Sequence, residues 1–198
     1  YLDGRDELAA KEPATVQLAL REPLAAFGGD RFILREQTAR KTIGGGVVLY
    51  PFATRPRQRV DPRLSTLTRL REAGDAAERL AALLDLQDGA VVTAPALAAA
   101  ANLRVDDVHA ALRDGDSLVR LPDGGRPDAY ASAERWRALR DAAVSRVAAF
   151  HEQAPRREGM EMESLHSQLA PDLPAKLFRD VLARLESEGT LRRAGSLV

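Results

Sequence analysis

Cysteine is absent from all 198 residues. That removes disulfides, thiolate metal sites and thiol nucleophiles, and it suits a reducing compartment, so a cytoplasmic location is expected. Aromatic residues are scarce, with Trp 1, Tyr 3 and Phe 5, so cores must come from Leu, Val and Ala, as in small helical modules. No apolar run approaches the roughly 20 residues that span a bilayer, and the amino terminus lacks a charged-then-apolar signal pattern, so no membrane association is expected. Net charge is missing too: 29 Lys and Arg face 29 Asp and Glu. The strong overall basicity of many nucleic-acid binders is thereby excluded.

The balance hides a gradient. Between Arg31 and Glu72 stand ten basic residues, Arg31, Arg35, Arg40, Lys41, Arg55, Arg57, Arg59, Arg63, Arg69 and Arg71, against Glu36, Asp61 and Glu72. This segment carries +7 and the remainder −7. A chain that opens on Tyr1 and closes on the strand-like Gly195-Ser196-Leu197-Val198 reads as part of something longer.

Ala14 to Leu20 alternates apolar and polar side chains, the period of a half-buried strand. After the turn residues Gly28 to Asp30, the runs Arg31 to Arg35 and Thr42 to Tyr50 predict two further strands joined by a polar loop. Gly44, Gly45 and Gly46 inside a strand require close backbone approach or a sharp bend, as at a barrel corner. Three prolines and three arginines between Pro51 and Pro62 exclude both helix and central strand, which makes that stretch a linker. Beyond it the apolar period changes from 2 to 3.6, with Ala76, Leu80, Leu83 and Leu84 on one face of a helix running to about Leu86.

From there one pattern occurs twice. Helices near 75–87, 95–101 and 105–113 lead into a hairpin around Gly124-Gly125, and helices near 133–153, 162–169 and 174–187 lead into one around Ala194-Gly195. Three helices followed by a hairpin is the winged-helix arrangement. Pro95 and Pro174 suit helix starts, and Gly115 and Gly189 suit positions just past helix ends. The expected fold is α+β and multidomain. A partial β-barrel of the translation-factor domain III type fills 1–54, a Pro/Arg linker 55–62, and two tandem winged-helix domains 63–131 and 132–198.

No phosphate-binding GxxxxGK[ST] loop, dinucleotide fingerprint, HExxH helix or GxSxG elbow is present, so no catalytic residue is assigned. His109, His151 and His166 fall on different predicted helices without i, i+4 spacing, so no metal site is expected. A winged helix often reads DNA with its third helix, and a DNA-binding transcription regulator is the alternative reading. The charges oppose it. Asp106, Asp107 and Asp114 offset Arg104 and Arg113 in the first copy, and Asp180, Glu186 and Glu188 offset Lys176, Arg179 and Arg184 in the second. The basic junction is the better RNA-contact candidate, through Arg35, Arg40, Lys41, Arg55, Arg57 and Arg59.

Residues 30–49, DRFILREQTARKTIGGGVVL, resemble the end of the third domain of translational GTPases such as elongation factor Tu, where an Arg-Phe strand, a basic turn and a glycine-rich strand close a barrel. The pattern Gly29-Asp30-Arg31-Phe32, Leu34-Arg35, Thr42 to Gly46 and Pro51 is closer to the selenocysteine-specific elongation factor family, SelB. GRDELAAKEPATVQLALREPLAA is similar to that family's preceding strands, and AFHEQAPRREGMEMESL at Ala149–Leu165 to its second winged-helix module. The resemblance implies a parent that binds GTP with magnesium in a domain outside this chain and carries selenocysteinyl-tRNA to recoded UGA codons on the ribosome. Winged helices of that parent reach an mRNA hairpin. It implies no cofactor in this part, a monomer, and a tRNA-facing loop at Gln37 to Lys41.

Overall fold

The structure, a computed structural model, describes residues 7–38, 40–53, 63–114, 118–122 and 125–198. In chain order the elements are β1 (Arg31–Arg35), β2 (Thr42–Val47), α1 (Leu64–Glu72), α2 (Ala76–Leu86), β3 (Val92–Thr93), α3 (Ala94–Ala101), α4 (Val105–Ala111), β4 (Leu118–Leu121), β5 (Ala129–Ser132), α5 (Ala133–Gln153), α6 (Met162–Leu169) and α7 (Ala175–Ser187). They form two compact units, one of residues 1–86 with 97–108, the other of 87–96 with 109–198. Among the described residues no helix is long and apolar enough to cross a membrane.

In the first unit β1 and β2 form an antiparallel pair, with Phe32 opposite Gly46, Ile33 opposite Gly45 and Leu34 opposite Gly44. The glycines have separate reasons. A Cβ on Gly45 would lie 2.7 Å from the Phe32 carbonyl oxygen, and one on Gly46 would lie 2.8 Å from the Phe32 ring, whereas Gly44 faces open space. Close approach of β1 therefore demands glycine at two of the three positions. The segment Ala14–Leu20, expected as a strand, joins no ladder among the described residues. Its tie is a side-chain bond instead, from Gln17 Nε2 to the Ala53 carbonyl at 3.1 Å. Alternation shows that a segment can lie half-buried, but a strand also needs a backbone partner.

The helix expected near 75–87 is α2, and a further helix, α1, precedes it. Gly74 and Asp75 separate α1 from α2: the Asp75 carboxylate accepts from the Glu78 amide at 2.8 Å, and Glu78 accepts from the Gly74 amide at 2.8 Å. This reciprocal capping satisfies donors that continuous helix would not leave free. Arg69 bridges to Asp85 at 3.1 Å. Leu70, Leu80, Leu83, Leu84, Leu97 and Val108 supply a buried aliphatic core.

The second unit holds the sheet β3-β5-β4, antiparallel throughout, with Arg120 opposite Tyr130. Ser132 ends β5 and caps α5 through the Arg135 amide. A contiguous core then gathers Trp136 and Leu139 of α5, Leu165 of α6, and Leu177, Phe178, Val181, Leu182 and Leu185 of α7. That α7 set is the stripe expected from sequence, at i, i+4 spacing. Trp136 donates its indole N–H to both oxygens of Glu188, at 3.1 and 3.2 Å, so the ring is buried without orphaning its nitrogen. Gly189 follows α7 at φ +71°, and Pro174 occupies the residue before it, both as expected. Pro95 lies in the first turn of α3; Gly115 lies outside the described residues.

The final hairpin is shorter than expected. Instead of two strands around Ala194-Gly195, Leu197 makes isolated bridges to Ala194 and Glu161. The chain end pairs with the approach to α6, through Met160 N–H to the Val198 carbonyl at 3.0 Å and the reverse bond at 2.9 Å. A Cβ on Gly159 would stand 2.9 Å from the Val198 carbonyl oxygen, so glycine there lets the two backbones meet.

Candidate nucleic-acid interface

The β1–β2 hairpin carries three of the sequence-derived candidates at one end. Arg35, the last residue of β1, faces Thr42 across a register shift that leaves Ile43 unopposed. Arg40 and Lys41 enter β2 from the connecting loop, and all three side chains are exposed. The loop is drawn in by the Glu36 amide donating to the Lys41 carbonyl at 3.0 Å, and by the Thr38 hydroxyl donating to the Glu36 carboxylate at 2.9 Å. Three cations therefore share a hairpin end with one carboxylate, Glu36. Such an end attracts phosphate electrostatically and releases counterions on contact. Arg55, Arg57 and Arg59 lie outside the described residues.

The third helix of the second repeat is arranged otherwise. Lys176 Nζ sits 2.6 Å from an Asp128 oxygen, and this bond and charge raise its pKa above that of an ordinary lysine. Arg184 pairs with Glu188 at 2.7 Å. Two of the three cations required for duplex reading are thus engaged within the fold, and Arg179 is exposed. His166 stacks on Phe178 with ring centroids 4.5 Å apart and bonds the Leu173 carbonyl at 2.7 Å, a packing role. Among the described residues no group of three His, Cys, Asp or Glu side chains could hold a metal ion. Sequence reasoning missed a second basic cluster, formed by Arg113, Arg120 and Arg126; the only sign of it is a spacing that places one arginine past a helix and two on a hairpin.

Residues 3–55 match the family model described as the beta-barrel domain of the selenocysteine-specific elongation factor. Residues 144–198 match the model described as the winged helix of elongation factor SelB. The class is therefore that of a translation elongation factor, represented by non-catalytic barrel and winged-helix modules. Both models come from one factor and together take in more than half of the residues: the chain belongs to the SelB family of selenocysteine-specific elongation factors. No curated protein matches the chain.

Proposed function

We propose that this chain serves selenocysteine incorporation by holding tRNA at the β1–β2 hairpin and by extending a winged-helix arm towards mRNA and the ribosome. In this reading the whole factor works in the cytoplasm, binds GTP, carries selenocysteinyl-tRNA and delivers it at UGA codons marked by an mRNA hairpin. The observation that carries the reading is the exposed cluster of Arg35, Arg40 and Lys41 within the segment matched to the barrel domain. The Pro/Arg segment with Arg55, Arg57 and Arg59 extends the same charge along the chain.

The residues of this chain do not fit GTP and magnesium. No P-loop pattern occurs, and among the described residues no acidic or histidine cluster would hold the metal. No chemical step is derived through either, and the role assigned to this chain is binding and positioning. Filter binding of tRNA to the chain and to its Arg35→Ala/Arg40→Ala/Lys41→Ala variant tests the reading. Affinity should fall about tenfold or more, with a shallower salt dependence because fewer phosphates are neutralised. Unchanged affinity and salt slope would sink it.

A further inference from the structure

In a module of three helices and a hairpin standing alone, one face of the antiparallel sheet packs on the helices and the other meets solvent. In this chain both faces of β4 and β5 are packed. Arg120 and Tyr130, opposite each other in the ladder, turn to α4: the Tyr130 hydroxyl lies 2.7 Å from His109 Nδ1, and Arg120 donates to the Leu112 and Arg113 carbonyls at 2.6 and 2.7 Å. Their neighbours along each strand turn the other way. Leu121 opposite Ala129, and Val119 opposite Ala131, belong to the same core as Trp136 and Leu139 of α5 and Leu177 and Phe178 of α7, with Val119 at its margin.

The residue types suit this second contact. Ala129 and Ala131 are fully buried in the central strand, where small side chains let a helix approach, and Leu121 beside them, also fully buried, supplies bulk. α7 lies against β4 although α5 and α6 intervene in the chain, and α5 lies against both strands. No linker separates the repeats: Ser132 ends β5 and caps α5, which begins at Ala133. At the rim, Lys176 Nζ of α7 meets Asp128 Oδ2, just before β5, at 2.6 Å. That exposed pair contributes little by itself but joins the same two elements. The compact units follow the packing, since residues 87–96 with 109–198 group the first repeat's sheet with α5–α7 and leave α1 and α2 in the other unit.

We infer that the first repeat's sheet is the platform on which the second repeat is built, so that the sheet and α5–α7 form one cooperative body. Modules of one chain shift against each other by default, and a hydrophobic interface with a short connection is what opposes this. Both conditions hold here. For the arm proposed above, and resting on that reading, the consequence is that packing at Leu121, Ala129 and Ala131 sets the direction of the second module. The faces of β5 are then spent on the fold and not on nucleic acid. The cooperative body itself does not depend on the family reading.

The test is amide hydrogen exchange on the whole chain, with urea added in steps below the unfolding transition. It involves no RNA, so its failure is distinct from failure of the tRNA assay above. In the unmodified protein, the amides of Tyr130 and Ala131 in β5 and of Val181, Leu182 and Leu185 in α7 should open together, with protection equal within about threefold and one urea dependence. Leu121→Ala should speed exchange in α7 as much as in β5, by about tenfold or more. Trp136, the only tryptophan of the chain, should report the same change as a fluorescence transition moved to lower urea. If Leu121→Ala does not fold, Val119→Ala at its half-buried position gives the same comparison with a smaller change. Faster exchange confined to β4 and β5, with the α7 amides and the Trp136 transition unmoved, would overturn the inference. Separate opening of β5 and α7 in the unmodified protein would do so as well.

Discussion

The β1–β2 hairpin and the α5–α7 module solve the burial of apolar side chains in opposite ways. In α5–α7 nearly every large apolar residue of α7 points into one core, and Leu185 is wholly buried. In the hairpin, Ile33 is 72% exposed and Ile43 65%. A two-stranded sheet is marginal by itself, because ladder bonds and turn geometry barely offset the entropy of ordering it. The helical module therefore draws its order from packing, whereas the hairpin draws its own from backbone fit. That fit is what the glycines at 45 and 46 permit.

Core truncation should give the widest separation between the two regions. Leu185→Ala should cost about 3 kcal/mol in urea unfolding, within the usual range for a buried leucine. Ile33→Ala should cost no more than about 0.5 kcal/mol, as an exposed substitution does. A comparable loss at Ile33 would erase the contrast, since the hairpin's apolar face would then be covered in solution.

A smaller effect is expected from the glycines. Gly45→Ala drives a Cβ against the Phe32 carbonyl oxygen, an atom of the backbone, and should destabilise the hairpin by about 1 to 3 kcal/mol. Gly44→Ala meets nothing within 4 Å and should be nearly silent. Amide hydrogen exchange at Phe32 to Leu34 reads both variants. Equal exchange rates would show that backbone approach does not set the hairpin's order.

Much of this division was legible in the sequence because it rests on local period and on residues with special backbone needs. The 3.6-residue stripe of α7 predicted its buried face, and the glycine run predicted either close backbone approach or a sharp bend, of which Gly45 and Gly46 show the first. The apolar period also placed the helix near 75–87, which is α2, whereas α1, before Gly74-Asp75, was not expected. What escaped was relational. The Ala14–Leu20 alternation could not reveal whether a neighbouring backbone would pair with it. The grouping of Arg113, Arg120 and Arg126 around one hollow escaped for the same reason, since the first follows α4 and the others stand on β4 and on its connection to β5. Of the hairpin candidates, Arg35, Arg40 and Lys41 did converge, since the turn between two adjacent strands leaves them no other place.

The smallest expected effect concerns how the packed module is held at its edge. Arg193 donates from its side chain and backbone to Glu186, with Nε at 2.8 Å, and these bonds hold the Glu186 carboxyl below the usual carboxylate range. A carboxylate whose folded pKa is depressed contributes stability above its unfolded pKa and loses it as pH falls through the folded value. The contribution should therefore be complete at neutral pH and fade below about pH 4. Glu186→Gln should lower the thermal midpoint slightly at pH 7, and the difference from the parent chain should close as the solution is acidified. Because both partners are partly exposed to solvent, the shift should also shrink with added salt. A difference that persisted at pH 3 would mean that Glu186 acts through packing, which would extend the burial logic of the α7 core to its rim.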